Sequence, residues 1–282
     1  MIRPVAALVV LCVALVSSAQ AQWINHPSAG IPRTKDGKPN LSAPTPTTVD
    51  GKPDLTGIWT TDRTPLEELE RLFPGMSALA VPGDGPEVLT KYFLSVLVDY
   101  KREESPLRPQ FVPLVIQRGV EGQGKDSPTA KCLPPGIPMG DLLALPRRFV
   151  QAPGLLVILS EANPHRMIFT DGRKHPVDPQ PAWLGYSVGS WEGDTLVVET
   201  RGFNDKSWLD AFGHPRSEAM RITERLRRRD LGHMDVQVTM DDPSLYTKPF
   251  SIRYSLTLTP DTDILESVCA ENERDAKHLV GK

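Results

Sequence analysis

The sequence has no surplus of basic residues. Among its 282 residues, 32 Lys and Arg stand against 35 Asp and Glu, which gives a formal net charge of −3. A nucleic-acid-binding protein usually carries basic residues in excess, so the charge argues against that class of function. The chain also lacks a nucleotide-binding fingerprint, a P-loop and a haem-attachment motif. The sequence therefore implies no tightly held cofactor.

Long hydrophobic runs are scarce as well. Residues 5–16 form an apolar run of about 12 residues, which is too short to span a bilayer. Arg3 precedes this run, small residues follow it, and Ala19-Gln20-Ala21 fits the cleavage rule of a secretory signal peptide. We therefore expect cleavage after Ala21 and export of the mature protein to the periplasm, without a membrane span.

Cysteine is rare, with three in the whole chain. Cys12 lies in the signal segment, which leaves Cys132 and Cys269 in the mature protein. An exported chain with two cysteines often pairs them, so we predict a disulfide; two buried thiols are the alternative. The absence of a C-x-x-C motif, and of close histidine spacing around His175 and His214, argues against a metal site.

Proline, in contrast, is abundant at 28 residues, which favours loops and extended segments over long helices. The predicted organisation is a signal peptide at 1–21, a Pro-rich extended arm at 22–56 and a single β-rich domain at 57–282, with a helical insert at about 64–103. The arm contains a short repeat, in which Asp-Gly-Lys-Pro at 36–39 recurs at 50–53. Each copy is typical of a tight turn followed by an extended exit.

From Arg148 onward, apolar and polar residues alternate with period two in about eight or nine short segments. This alternation is typical of antiparallel sheets with one buried face, and many hairpin-linked strands favour closure. The predicted fold is mainly β, an antiparallel β-barrel or a strongly curved sheet, with two N-terminal helices and the Pro-rich arm. The Gly-Ile-Trp at 57–59 and the ladder of hairpins also resemble lipocalins, and this lipocalin-like resemblance is one of architecture only.

Local patterns add finer expectations. Thr64 and Pro65 predict a helix start with a capping box, and a second helix with one broad apolar face should begin at Pro86. Asp171-Gly172 predicts a hairpin turn. Residues 264–268 read as a last strand.

A run of motifs carries a resemblance. Residues 185–200 read GYSVGSWEGDTLVVET, residues 208–210 read WLD and are followed by Gly213, Pro215 and Ser217, and residues 224–225 read ER. With DGKPDLTGIW at 50–59, this pattern resembles a large group of uncharacterised secreted bacterial proteins, and the likeness covers nearly the whole mature chain. The resemblance implies export and a β-rich fold, but no chemistry.

The sequence departs from that group at one position. The group usually has a histidine just before the serine of its Gly-x-Pro-x-Ser run, whereas this chain has Arg216 there and His214 two residues earlier. A mechanism that rests on the group's histidine does not transfer directly to this chain.

Ser187 lies in a G-x-S-x-G pattern, which in hydrolases forms a strand–turn–helix elbow. The residues that follow it form a hairpin turn instead, so we regard a serine nucleophile as the weaker interpretation, although Asp210 and His214 follow in the required order. By period two, Ser187 and Trp191 share a strand face, where small residues beside a tryptophan suit either a ligand cavity or a packed core.

Two polar groups are candidates for chemistry. Arg173 and His175 follow the Asp171-Gly172 turn, where they would bind an anionic or carbonyl group and exchange a proton, or form a solvated turn. Asn204, Trp208, Asp210 and His214 lie in a connection between strands that is a candidate lid or barrel mouth.

Glu224 is placed by the alternation on the apolar face of its strand. Because an unpaired buried carboxylate is costly, we expect it to pair with Arg228 or to act as an acid or base in a pocket. The arginines of the opposite face are most simply a solvated outer surface.

Three functions follow from these residues. In the first, the barrel binds a small organic molecule; in the second, it is an enzyme (a lyase, isomerase or hydrolase) that uses acid/base chemistry in the same pocket; in the third, the arm is an envelope interaction module. The candidate catalytic residues are His175, Asp210, His214 and Glu224, and the candidate ligand-binding residues are Arg173, Trp183, Ser187, Trp191, Asn204 and Trp208.

Overall fold

The computed structural model describes residues 27–75 and 89–269. Nine strands close into a barrel in chain order, and the first strand pairs with the last. This confirms the prediction of a mainly β chain, and of the two predicted alternatives the barrel is the one observed. The strands are β1 Gly57–Thr61, β2 Arg147–Ala152, β3 Leu155–Ser160, β4 Arg166–Phe169, β5 Tyr186–Glu192, β6 Thr195–Arg201, β7 Arg221–Arg228, β8 His233–Asp241 and β9 Phe250–Leu258.

The barrel is not wholly antiparallel, contrary to the prediction. β4 and β5 run parallel and pair through Ile168 with Ser187 and Phe169 with Val188, whereas the other neighbours are antiparallel. A closed ring can alternate strand direction throughout only when the number of strands is even, so nine strands require a parallel pair. Asp171-Gly172 therefore does not form a hairpin. Residues 170–185 form the longer crossover that parallel strands need.

Alternation along the strands decides which side chains enter the barrel. In β7, Ile222, Glu224, Leu226 and Arg228 are buried, and the residues between them are more exposed. Because successive side chains of a strand point to opposite faces, two charged groups of this strand are directed inward. The same rule places Trp59 of β1 in the core.

Different segments close the two ends of the barrel. Strand direction places residues 62–75, 89–146, 202–220 and 242–249 at one end. We call residues 62–75 and 89–146 the insert, which extends past the helical insert predicted at about 64–103. The short helices in these described residues are α1 Leu66–Leu72, α2 Lys91–Leu94 and α3 Val112–Val115, and a π-helical turn follows at Ile116–Glu121. The arm covers the other end, where the backbone N–H groups of Gly232 and Leu231 donate to the carbonyls of Leu41 and Ala43 at 2.7 and 2.8 Å.

The arm is more than an exposed segment. Its two repeats form equivalent turns, in which the N–H of Thr34 donates to Lys38 and that of Thr48 donates to Lys52, both at 2.8 Å. Leu55, at the end of the second repeat, is fully buried in the core. The repeats are therefore exposed at their turns but anchored on the barrel.

The two predicted helices differ from expectation in different ways, because the first lacks its predicted cap and the second is shorter in its described part. Thr64 does not cap α1, because its hydroxyl oxygen accepts a hydrogen bond from the N–H of Lys91 at 2.9 Å. The start of the second predicted helix at Pro86 lies outside the described residues, and the part described is helical only over Lys91–Leu94. The carbonyls of Phe93 and Leu94 accept from the loop at 211–212 instead, so tertiary hydrogen bonds replace helical ones.

The C-terminal region holds one confirmed and one wrong prediction. Residues 264–268 form no strand. Cys132 and Cys269 form a disulfide with a Cα–Cα distance of 5.5 Å, which confirms the predicted pairing. Among residues 27–75 and 89–269, no helix is both long and apolar enough to cross a membrane.

Candidate functional site

A cluster of charged side chains lies inside the barrel at the end covered by the insert. Arg166 of β4 donates to both carboxylate oxygens of Glu224 on β7, with Nη1 3.1 Å from Oε1. Arg147 of β2 contacts Asp141 at 3.0 Å, and Asp141 also lies 3.8 Å from Arg166. We call these four residues the interior cluster. Two guanidinium groups and two carboxylates balance each other, as buried charges must.

This arrangement decides the role of Glu224. Its partner is Arg166 across the barrel, not Arg228 as the sequence suggested. Arg228 donates to the carbonyls of Asp54 and Leu231 and lies 4.8 Å from the ring centroid of Trp59. Burial lowers the pKa of Arg166, but the carboxylates of Glu224 and Asp141 outweigh it and raise the pKa above its usual value. The guanidinium of Arg166 is therefore held in its charged form.

Ser187 belongs to the same interior. Its hydroxyl oxygen accepts from Nε of Arg166 at 3.2 Å and lies 3.0 Å from the hydroxyl of Thr200. Ser187 is the second residue of β5 and does not lie on a strand-to-helix turn. Its hydrogen bonds lead to Arg166, not to His214. The G-x-S-x-G pattern here places a small polar residue beside a buried guanidinium.

Arg173 and His175 come together on the outer wall of the barrel, away from Ser187. Arg173 binds Asp171 through Nη2 at 2.6 Å and lies 3.8 Å from the ring centroid of Phe169.

His175 and Arg173 line a cleft of about 460 Å³ over β5 and β6. Both ring nitrogens of His175 are buried without a hydrogen-bond partner among the described residues. Burial and the nearby Arg201 lower its pKa, against the opposing effect of Glu199.

The remaining aromatic and amide candidates do not gather in one pocket. Trp183 is half-buried and its carbonyl accepts from Arg216, while Trp191 is half-buried near the far end of β5. The side chain of Asn204 accepts from the N–H of Lys206 at 3.2 Å. Trp208 is buried at the insert end.

Asp210 and His214 form the closest contact between candidate catalytic residues. Oδ2 of Asp210 lies 2.6 Å from Nδ1 of His214, and the carboxylate is fully buried. The same Oδ2 accepts from the N–H of Val96 at 2.7 Å, and Oδ1 accepts from the N–H of His214 at 3.2 Å. Three bonds fix the carboxylate, and through it the orientation of the imidazole ring.

The tight loop that carries the pair depends on close backbone approaches. The N–H of Leu209 donates to the carbonyl of His214 at 2.9 Å. Gly213 has φ +84° in the left-handed region, and a Cβ there would lie 2.6 Å from Cβ of Arg118. Arg118 uses this space to donate to the carbonyl of Gly213 at 3.1 Å and to lie 5.0 Å from the ring centroid of Trp208.

His214 borders a groove of about 680 Å³ between its loop and the insert. Nδ1 faces Asp210, and Nε2 has no hydrogen-bond partner within the described part of the chain. The side chain of His214 keeps 9% of its surface exposed and is part of the groove wall. The groove is mainly apolar, and its walls include Leu97, Leu107, Val112, Val115 and Ile116.

Neither of these sites has the composition of a metal centre. In the ranges 27–75 and 89–269, no group of three or more His, Cys, Asp or Glu side chains is placed to hold a metal ion. The chemistry available at His214 is proton transfer by an imidazole that a buried carboxylate orients.

Sequence reasoning missed three members of the interior cluster. Two of them could have been found from the alternation of side chains along a strand. Arg147 lies two residues before the buried Phe149, and Arg166 lies two residues before the buried Ile168, so each arginine points inward with its neighbour. Asp141 lies in a short 3-10 turn and could not have been found in this way. The sequence analysis also missed the groove beside His214. Its apolar wall is formed by residues between 97 and 116, which are far in sequence from His214 and meet it only in the folded chain.

No protein-family model, no curated protein and no solved structure matches this chain. The functional interpretation therefore rests on the geometry of its own residues.

Proposed function

We propose that this protein binds a small organic molecule in the groove beside His214 and transfers a proton to or from it. The observation that carries the proposal is the 2.6 Å contact between the buried carboxylate of Asp210 and Nδ1 of His214, a residue that lines the groove. A base oriented by a buried acid is the arrangement by which many enzymes prepare a histidine for catalysis.

Orientation is the main contribution of Asp210. When Nδ1 donates to the carboxylate, the lone pair of Nε2 is directed away from Asp210 and is available to accept a proton. When the ring then carries a positive charge, the neighbouring carboxylate stabilises it. Such a group contributes about 100- to 10,000-fold to a rate.

The groove favours a ligand with an apolar body. Aliphatic side chains form most of its apolar wall, and charged groups of Lys101, Arg102 and Glu103 line it together with His214. An apolar lining with polar groups at a few places is typical of small-molecule sites. The proposal places the ligand outside the barrel, because in the interior Ser187 and Glu224 are engaged with Arg166.

Export to the periplasm is part of the proposal. The disulfide is compatible with an oxidising compartment. The expected partners are a small-molecule substrate or ligand, with neither nucleic acid nor a tightly held cofactor. A role of the arm in binding an envelope protein remains the alternative, and the two exposed turns of the repeat support it.

The test uses two reaction classes that share removal of a proton by a base. The first is hydrolysis of p-nitrophenyl esters with short and medium acyl chains; the second is α-proton exchange of apolar ketones, followed by NMR in deuterated water. We expect turnover of at least one class, with a rate that falls about 100-fold or more in His214→Gln. The matched control is His233→Gln, since His233 contacts Asp230 at 2.8 Å in a half-exposed pair on the barrel surface.

Two results would overturn the proposal. One is an unchanged rate in a folded His214→Gln variant; the other is no turnover of either class by the wild type. Native mass spectrometry of the mature protein distinguishes an enzyme from a carrier. Retained organic mass without turnover would identify a protein that binds its ligand and does not convert it.

A further inference from the structure

The outer face of the barrel contains a concave surface with an excess of positive charge. Arg225 and Arg227 of β7 and Arg253 of β9 line one depression of about 390 Å³, together with Asp235 of β8. We call it the arginine depression. The whole chain carries a net charge of −3, so this local excess does not follow from overall composition.

Strand register explains why the three arginines converge. Gln237 of β8 pairs with Arg225 on one side and Arg253 on the other. Arg227 is two residues from Arg225 on the same strand, so it points to the same face about 7 Å away. Three long side chains, two on β7 and one on β9, thus surround one area of the sheet on either side of β8.

The carboxylate that should neutralise Arg227 is engaged elsewhere. Asp235 is the cross-strand partner of Arg227, but its Oδ1 lies 3.2 Å from Nε of Arg229 and accepts from the hydroxyl of Ser255 at 3.3 Å. Arg227 is exposed and has no hydrogen bond or ion pair to any residue that the structure describes. Its guanidinium retains all five N–H donors for a ligand.

The other two arginines keep free donors as well. Arg225 uses Nη2 to contact Glu192 at 2.7 Å, and Arg253 uses Nε to donate to Gln237 at 3.1 Å. With Arg229, four guanidinium groups in this region oppose the two carboxylates of Asp235 and Glu192. The depression is therefore rich in donors and has two positive charges in excess.

We propose that the arginine depression binds an anion that carries more than one phosphate or sulfate group. Guanidinium forks match the oxygens of such groups in pairs. A single carboxylate has only two oxygens and one charge, which is too few for three arginines on two strands that flank β8. The chemistry fits a free phosphate ester or the headgroup of an anionic lipid.

The first arm of the test is calorimetric titration of the mature protein with inorganic pyrophosphate at low ionic strength, where such contacts are least screened. We expect saturable binding that weakens at least about tenfold in Arg227→Ala, with partial retention in Arg227→Lys, which keeps the charge and loses the fork. The matched control is Arg221→Ala: Arg221 is exposed on the same face of β7 but outside the depression. It should change affinity by less than about twofold.

The second arm separates the two sources of phosphate. Co-sedimentation with cardiolipin vesicles, whose headgroup carries two phosphates, is compared with co-sedimentation with phosphatidylcholine vesicles. Binding to cardiolipin that Arg227→Ala abolishes supports a lipid headgroup, and pyrophosphate binding without co-sedimentation supports a free ester. Absence of binding in both arms, or equal losses in Arg221→Ala and Arg227→Ala, overturns the proposal. His214→Gln should keep full binding, so this proposal and the proposed function fail independently.

Discussion

Oδ2 of Asp210 joins two parts of the chain, since it lies 2.6 Å from Nδ1 of His214 and accepts the N–H of Val96 at 2.7 Å. One buried carboxylate thus orients the candidate base and holds the insert against the loop that carries it. The bond to Val96 also accounts for the early end of α2, because that N–H is used outside the helix.

Asp210→Asn should remove the orientation of His214. An NH₂ group at the Oδ2 position would face the N–H of Val96 and would require Nδ1 to accept, which places the ring proton on Nε2. An NH₂ group at the Oδ1 position would face the N–H of His214 instead. We expect the rate of the reaction at His214 to fall by about 100- to 10,000-fold, with substrate affinity nearly unchanged. Steady-state kinetics measure both. Asp230→Asn, at the surface pair with His233, is the control, and equal rates in the two variants would contradict the assigned role.

Removal of Glu224 should destabilise the barrel strongly. Glu224→Ala leaves the guanidinium of Arg166 buried without its main partner, and breaking one side of a buried pair costs about 3–5 kcal/mol of unfolding free energy. Urea denaturation measures the loss. The control, Glu192→Ala, removes an exposed partner of Arg225 and should cost less than about 1 kcal/mol. Similar values for both variants would mean that Arg166 finds another partner.

Gly213 should tolerate a side chain less well than another glycine of similar conformation. Gly213 has φ +84° and Gly193 has φ +59°. A Cβ added at Gly213 would lie 2.6 Å from the side chain of Arg118, whereas a Cβ added at Gly193 would have no atom within 4 Å. Both alanine variants incur the left-handed penalty of about 1–2 kcal/mol. We expect Gly213→Ala to lose about 1–3 kcal/mol more, as overpacking does, and to lower turnover by shifting His214. Thermal unfolding of the pair checks this, and equal losses would contradict it.

His175 should make the protein less stable in mildly acidic solution. Burial and Arg201 lower its pKa in the folded state, and Glu199 opposes them; Lys174 and Arg173 line the same cleft. As pH falls below the ordinary histidine value of about 6.5, the unfolded chain takes up a proton that the folded chain does not. The unfolding free energy therefore decreases below that pH and is unaffected by this group above it.

The variant His175→Gln should remove this part of the pH dependence. Urea unfolding between neutral pH and mildly acidic pH gives the difference between variant and wild type. His165→Gln, at an exposed histidine, controls for the loss of a histidine as such. A parallel pH dependence of wild type and His175→Gln would show that His175 does not contribute.

The disulfide should stabilise the chain by closing a long loop. Cys132 and Cys269 are 137 residues apart. A bridge between them lowers the conformational entropy of the unfolded chain and so raises the free energy of unfolding by about 2–4 kcal/mol. We expect reduction by a thiol reagent, or the double variant Cys132→Ser/Cys269→Ser, to lower the urea midpoint without changing the native fold seen by circular dichroism. An unchanged midpoint would contradict the predicted stabilisation.

The sequence by itself determined the strands, their buried faces and the cysteine pairing. Alternation of period two is a local property of the backbone, so Ile222, Glu224 and Leu226 could be placed on one face before any partner was known. Two cysteines in the mature chain leave one possible internal bridge. These features need no knowledge of distant neighbours.

Only the tertiary structure decided which distant residues meet. The partner of Glu224 is Arg166 and not Arg228, because closure of the barrel brings inward-facing residues of different strands together. The spacing of residues along one strand does not predict which residues of other strands they meet. The tertiary structure made β4 and β5 parallel, because a ring of nine strands cannot alternate throughout. It also shortened the helix after Thr90, since the loop at 210–212 supplies hydrogen bonds that compete with those of the helix.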